Sequence, residues 1–447
     1  MCRHQHDAAV ARLRAALVAL PQDSPVRLSK PSSNLFRFGG RDRAGGLPTD
    51  GLDTVIDIDA DARTAEVGGL ITYEKLVAAT LPHKLMPAVV PQLKTITLGG
   101  AVAGLGIEST SFRAGLPHET VLEMDVLTAS AGLETVRPGD ALFDGMPNSY
   151  GTLGYAVRLK ISLEPVGRAV EVEHRRFDDP AACFAAMEEI WAAGEVDFLD
   201  GVVFGPDEMY LSLGRFSDSH DPTSDYTGQS VYYKSLRHRR RDLLSVHDYL
   251  WRWDTDWFWC SAAFGVQNPL VRRVWPKNLR RSDVYRRLVA LDRRLGLTRR
   301  VDALRGARHE AVIQDVEIPI SSAARFLERF CVDVPIRPIW LCPLGLRGEH
   351  EWPLYPLRRG EHYVNFGFWA TAPLGPGQSP DYHNRLVEDL VDRLGGHKSL
   401  YSTVHYDRED FWRRYGGQAY QELKDRYDAQ RRLPDLFEKV GTDSETR

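Results

Sequence analysis

The sequence predicts an α+β fold in two main parts, and three observations predict it. The first third runs as strand pairs joined by short helices, not as regular strand–helix–strand alternation. Near Val166 the texture changes to mixed strands and helices rich in aromatics, densest in "LWRWDTDWFW" and "PIWLCPL". The chain has 447 residues, 43% of them hydrophobic, which is enough for more than one core. The expected division is a domain over 1–165, a second over 166–400, and a charged helical segment over 401–447 that packs back on the first.

Each element has its own local signal. The spacing of apolar residues fits an amphipathic helix from about Asp7 to Leu20. "VRLSKPSSNLFRFGG" reads as a short strand broken by Pro31. Val55, Ile56 and Ile58 form a strand, Asp59 to Arg63 turn, and Ala65 to Val67 return. "TYEKLVAATLP" is helical and ends at Pro82, while Pro87 and Pro91 hold "KLMPAVVPQLKTITLGG" extended. "VLEMDVLTASAGLETV" is a hairpin about Ala131-Gly132, and "SYGTLGYAVRLKISLEPV" closes with a strand ending near Pro165. The tail from Tyr406 is helical in pattern, and "GTDSETR" has the composition of a disordered end.

Composition excludes several classes. A formal charge of −4 argues against nucleic acid as the main partner. Cys2, Cys183, Cys260, Cys331 and Cys342 show no paired spacing, so they read as reduced thiols of a cytoplasmic protein. No run of eighteen apolar residues occurs, so any lipid contact is expected to be peripheral or through a pocket. The fourteen histidines show no metal-ligand spacing, and there is neither a nucleophile elbow nor a P-loop. No metal site is expected.

The stretch "TLGGAVAGLGIESTSFRAGL", residues 97–116, carries the chemistry. Gly100, Gly104 and Gly106 imitate a dinucleotide fingerprint, with Asp125 where a ribose-binding acid would be sought. A Rossmann turn, however, belongs in the first strand–helix unit and opens a long helix. Here strands and a helix precede the glycines, and Gly115 and Pro117 interrupt any helix beyond them. The glycines serve either turns and packing alone or the close approach of main chain to a phosphate and a flat ring. The hydroxyls of Thr95, Thr97, Ser109, Thr110 and Ser111 suit the second use, in particular the pyrophosphate and isoalloxazine of FAD.

The order "VRLSKPSSN", "VIDID…AEVGG", "TLGGAVAGLGIESTS" and "GTLGYAVRLKISL" resembles the FAD-binding domain of the vanillyl-alcohol oxidase family. Within that family the chain is most similar to delta24-sterol reductases, a likeness that continues through "VIQDVEIP", "PIWLCP" and "REDFW". Animal sterol reductases add an N-terminal membrane helix that this sequence does not show. A bacterial branch that reduces 10-methylenestearoyl to 10-methylstearoyl (tuberculostearoyl) chains fits the absent anchor and the arginine-rich composition better. The resemblance implies a two-subdomain FAD-binding domain plus an α+β substrate or cap domain. It places Ser32, Ser33 and Asn34 in a pyrophosphate turn. Thr95, Thr97, Leu98, Gly99, Gly100, Gly104, Gly106, Ile107, Glu108 and Ser109 would line FAD, with Gly154 and Val157 presenting main chain to the flavin ring. "KPSSNLF" lacks the histidine of covalent relatives, so the FAD is expected to be dissociable.

Other candidates carry two readings each. Glu108 either contacts the cofactor, donates a proton, or caps the short helix near Ser109. Asp254 and Asp256 read as the outward face of a half-buried strand, or as substrate-site residues beside Trp253 and Trp257. Trp340 is a further substrate candidate, and Gln314 and Asp315 read either as residues at the edge of the substrate site or as structural hydrogen-bond partners. His247 and Tyr249 are candidate acids, His247 also reads as a satisfied structural histidine, and Cys342 reads as buried packing. The arginines of "SLRHRRRD" read as a solvated face, or as an attractor for NADPH phosphates or anionic lipid. Together these predict an FAD-dependent, NADPH-consuming reductase of an isolated C=C bond in a lipid. With no Rossmann turn left for it, NADPH must approach through the cap. The lipid methyltransferase that makes the methylene group is the expected partner. Alternatives are a sterol reductase, an alcohol oxidase using dioxygen, and a non-catalytic flavin-binding scaffold.

Overall fold

The computed structural model describes residues 2–30, 46–228, 230–296, 300, 304, 306–355 and 357–441. Ser32, Ser33 and Asn34, and the tail after Gly441, lie outside the described residues.

Two antiparallel sheets organise the chain. The first holds β1 (Val55–Asp59), β2 (Thr64–Gly68), β3 (Leu85–Pro87), β4 (Val121–Leu127), β5 (Leu133–Val136) and β6 (Tyr155–Pro165). Its order is β1-β2-β6-β4-β5, with β3 also on β6. β6 is central because its alternate residues Leu159, Ile161 and Leu163 are buried on one side. On the other side Arg158 binds Glu66, Glu123 and Asp125. Asp125 is therefore a structural ion-pair partner, which closes the Rossmann reading of it. Helix α1 (Cys2–Ala19) begins and ends slightly earlier than its periodicity predicts. Leu13 and Leu17 pack with Leu52, Leu127, Val157 and Leu433. Helices α2 (Tyr73–Thr80) and α3 (Leu98–Gly104) come next, each started by a threonine side chain that accepts from a backbone amide three residues on. The segment after Pro91 thus stays irregular only as far as Thr97, where the helix begins.

The second sheet contains β7 (Ala169–Phe177), β8 (Phe198–Gly205), β9 (Glu208–Ser217), β10 (Arg241–Ser245), β11 (His309–Pro319), β12 (Ile339–Leu344), β13 (Tyr363–Pro373) and β14 (His397–Lys398). They run in the order β10-β7-β9-β8-β12-β13-β11-β14. One face is covered by helices α4 (Pro180–Ala193), α6 (Ile320–Asp333) and α7 (Tyr382–Arg393), which form an apolar core with Val312, Val316 and Phe366. Helix α5 (Ser282–Leu295) lies between β10 and β11 in the chain, outside that core. The other face of the sheet joins the first domain in a single contiguous core.

That joint core includes the aromatic turns after β10, where the chain departs from the sequence reading. "WRWDTDW" is not a strand: Asp254–Asp256 is one turn of 3₁₀-helix, and both aspartates are buried. A strand would alternate them toward water, but each is consumed by internal partners. Asp254 accepts from the Lys94 amide at 3.0 Å and the Ser282 hydroxyl at 2.6 Å. Asp256 accepts from Arg272 and Ser261. The C-terminal segment contains helix α8 (Gly417–Tyr427) and returns to the first domain. Lys424 Nζ donates to the Thr152 carbonyl and Arg432 to the Ala129 carbonyl.

Candidate active site

The glycine-rich segment lies where the two sheets meet. Its Ser109 carbonyl accepts from the Leu199 amide of β8, and Arg113 forks onto Glu164 while donating to the Asp197 carbonyl. Three of its glycines are required by packing. A methyl on Gly99 would sit 2.6 Å from the Gly69 carbonyl oxygen. One on Gly104 would press on the Tyr150 ring, whose hydroxyl donates to Gly104, and one on Gly106 would lie 2.9 Å from Pro91. Gly100 is half-exposed, and a methyl there would lie 2.7 Å from Oγ1 of its own cap Thr97 and 3.9 Å from Lys30 Nζ.

A ligand fits this segment on two observations. Gly99, Gly100, Leu105, Gly106 and Ile107 are half-exposed inside an otherwise buried stretch, which is the pattern of a slot wall. The amides of Gly106 and Ile107 also have no partner among the described residues, and a slot wall with spare donors is what a flavin or pyrophosphate requires. Leu98 is buried in the core, whereas Thr95 stands half-exposed at the rim. A methyl on Gly154 would strike Val126, and Val157 points into the core while its carbonyl accepts from Gly69.

Glu108 is the hub. Its Oε1 accepts from the Ser109 amide at 2.6 Å, the Ser109 hydroxyl at 2.7 Å and Gln92 at 3.1 Å. Its Oε2 is buried with no partner. Burial pushes the carboxyl up to about 7, opposed by the nearby Arg252 guanidinium and the Ser109 bonds. The capping role is thus real, but it uses one oxygen and leaves the other buried and unpaired.

Facing Glu108 is a buried polar row that crosses the second sheet. Register pairs His174 with Ser212, Ser212 with Asp200, Cys342 with Asn365, and Asn365 with Glu317. Asp200 Oδ2 gathers Arg252 at 2.8 Å, Trp253 Nε1 at 3.1 Å and Trp340 Nε1 at 3.2 Å. Arg252 stacks on the Tyr249 ring at 3.8 Å. Around this row, Asp200 Oδ1, Arg252 Nε, His174 Nε2 and both amide atoms of Asn365 have no bonding partner. Folded proteins leave few buried polar atoms unpaired. So many in one place leave polar atoms that a ligand or water would pair. Burial and the neighbouring Glu317 hold Asp315 well above the usual carboxylate range, and burial raises Glu317 to about 7.

The structure sorts the substrate candidates. Trp253 and Trp340 stand in this row through Asp200. Trp257 lies in the adjoining aromatic turns, where it and Phe258 both take positive φ, of 45° and 58°. Strain of that kind clusters at functional sites. Asp254 braces the turn against Lys94 instead of facing the row. Gln314 is on the wrong face: it shares the helix-covered side with Val312 and Val316, and its amide donates to Asn384 of α7. Strand pleating gives the site side to Asp315 and Glu317. His247 is exposed and has its partner in Asp248, away from the row. Arg237 and Arg239 are spent on Glu208 and Asp242. Cys342 is fully buried. The residues missed by sequence reading are Asp200, Arg252, Glu317 and Asn365. A lone acid in the apolar strand "FLDGVVFG" and the same-face pair in "QDVEIP" were the available signals.

Residues 14–137 match the model of a family described as an FAD-binding domain. The chain is 25% identical over 410 residues to Delta(24)-sterol reductase of Homo sapiens, covering 87% of this chain and 76% of that one. It is 26% identical over 428 residues to Delta(24)-sterol reductase of Arabidopsis thaliana, covering 84% and 72%. A shorter likeness, 30% over 177 residues, joins 38% of this chain to 32% of Cytokinin dehydrogenase 10 of Oryza sativa subsp. japonica. With its glycine-rich slot and facing antiparallel sheet, the chain carries a match to an FAD-binding domain of the vanillyl-alcohol oxidase type over residues 14–137 and along most of its length is similar to Delta(24)-sterol reductases.

Proposed function

We propose that this protein is an FAD-dependent reductase of an isolated C=C bond in a lipid, with a methylene-branched fatty acyl chain as substrate and NADPH as electron source. The observation that carries the reading is Glu108: a carboxyl pushed up to about 7 by burial, with one oxygen unpaired, next in the chain to the spare amides of Gly106 and Ile107. An unactivated alkene accepts hydride only if the other carbon is protonated in step, so the reaction needs an acid that is protonated near neutral pH. Bound FAD supplies the hydride. Glu108 gives its proton to the terminal CH2 carbon, leaving the better-substituted carbon to take that hydride. Ser109 and Gln92 fix the carboxyl's orientation through the other oxygen. Arg252 stands by to stabilise the carboxylate once the proton has left. In balance, NADPH, a proton and the alkene become NADP⁺ and the saturated chain.

The similarity to sterol reductases supports the reaction class, and the fatty acyl substrate follows from the resemblance to the bacterial 10-methylenestearoyl-reducing branch. The test uses purified FAD-loaded protein under anaerobic conditions. NADPH is expected to bleach the flavin, and 10-methylenestearoyl phospholipid to restore its colour while gaining one H2 by mass spectrometry. Bleaching by an alcohol alone would instead establish an oxidase. A reduced sterol beside unchanged methylene lipid would overturn the substrate.

A further inference from the structure

Among the described residues, five exposed large apolar side chains gather in one stretch. Leu270 and Val274 are 78% and 79% exposed, and Leu279, Leu291 and Leu295 lie between 40% and 51%. All fall within residues 269–296, where helix Pro269–Val274 leads through Trp275 to α5, and Trp275 lies against Tyr285 of α5.

Helix α5 has two apolar stripes with different uses. Tyr285 and Val289 face the joint core. Val284, Leu288, Leu291 and Leu295 recur at i, i+4, i+7 and i+11, so they share a second face, and none of them belongs to any core cluster. Arg287 and Arg294 border that second stripe. Val271 and the exposed Val274 and Leu270 continue the apolar character on the preceding helix.

Charge distinguishes what such a face would meet. Residues 269–296 carry nine arginines and lysines against two aspartates, in a chain whose net charge is −4. Arg272 and Arg280 are buried and spoken for, Arg281 and Lys277 also pair with Glu74 and Asp225 outside the segment, and Asp283 pairs with Arg281 and Arg287. Arg273, Arg286, Arg293 and Arg294 still leave a net positive surface around an apolar stripe that is half-buried at Val284 and Leu288 and exposed at Leu291 and Leu295. A site for nucleic acid would need the charge but not the leucines, and an apolar protein interface would need the leucines but not the charge. An amphipathic helix with leucines on one face and arginines beside them matches the chemistry of an anionic bilayer surface.

We infer that residues 269–296 form a docking face for anionic membrane, in which Leu291 and Leu295 enter the acyl boundary and Arg287 and Arg294 meet lipid headgroup phosphates. The inference does not depend on the reaction proposed above. Membrane binding and alkene reduction are measured separately, and either can fail alone.

The experiment is co-sedimentation of the full FAD-loaded chain with vesicles of phosphatidylcholine, with and without phosphatidylglycerol at about one third of the lipid. Binding is expected only with the anionic vesicles and is expected to fall at high salt. The double variant L291S/L295S is expected to lose about tenfold in partition constant or more. R287E/R294E is expected to lose at least as much. V332S, which removes an exposed valine on another helix, serves as the control and is expected to bind normally. Flavin content and melting temperature establish that each variant is folded. Failure of the wild type to bind anionic vesicles overturns the inference, as does equal binding to neutral ones. So does retained binding by L291S/L295S. Duplex DNA captured by the wild type and lost only in R287E/R294E would reassign the face to a polyanion.

Discussion

At the scale of single residues, one carboxyl with two differently used oxygens explains why Glu108 is both structural and reactive. Its Oε1 holds three donors and its Oε2 none. A group raised to about 7 is mostly protonated below that pH and loses its proton above it. On the acid role, kcat for alkene reduction is therefore flat below pH 7 and falls about tenfold per pH unit above it. Glu108→Gln keeps the shape and most hydrogen bonds but gives up no proton. It is expected to lower kcat by about 10²–10⁴-fold, flatten the pH profile and leave flavin content unchanged, as absorbance and stopped-flow turnover would show. A variant that retains the wild-type rate and profile would remove Glu108 from the chemistry.

At the scale of elements, the first sheet and the slot are joined by backbone laid against backbone. Gly69 donates to the Val157 carbonyl and its own carbonyl accepts from Gly99, so β2, β6 and α3 meet without side chains between them. A methyl at Gly69 would collide with the Ala156 carbonyl oxygen, which belongs to a central strand and has nowhere to move. Gly69→Ala is expected to cost about 3 kcal/mol of stability and to loosen the slot. Chemical denaturation and the fraction of FAD retained on gel filtration would both report it. The strand pairs were legible here because alternation and turn residues such as Ala131-Gly132 specify a hairpin locally. The aromatic turns were not. "WRWDTDW" has strand-like alternation, and only partners far away in the chain, at Lys94 and Ser282, determine that Asp254 is buried in a 3₁₀ turn.

At the scale of the whole molecule, the C-terminal segment acts as a clasp on the first domain. Lys424 is buried with its ammonium shared among the Thr152, Leu433 and Pro434 carbonyls and Asp428. Replacing it with methionine leaves Asp428 without its cation in a dry setting. Lys424→Met is expected to cost about 3–5 kcal/mol, seen as a lower melting temperature together with faster proteolysis of the last helices.

The sequence by itself determined the α+β class, the antiparallel pairs of the first sheet, the flavin-type glycine segment and the singular position of Glu108. These depend on local periodicity, turn chemistry and motif order, all of which are written in neighbouring residues. The tertiary structure alone decided that Asp200, Arg252, Asn365 and Glu317 stand in one buried row opposite Glu108, and that Gln314 turns away while Asp315 turns in. Such placements depend on strand register between segments more than a hundred residues apart, and a one-residue change of register exchanges the two faces of a strand.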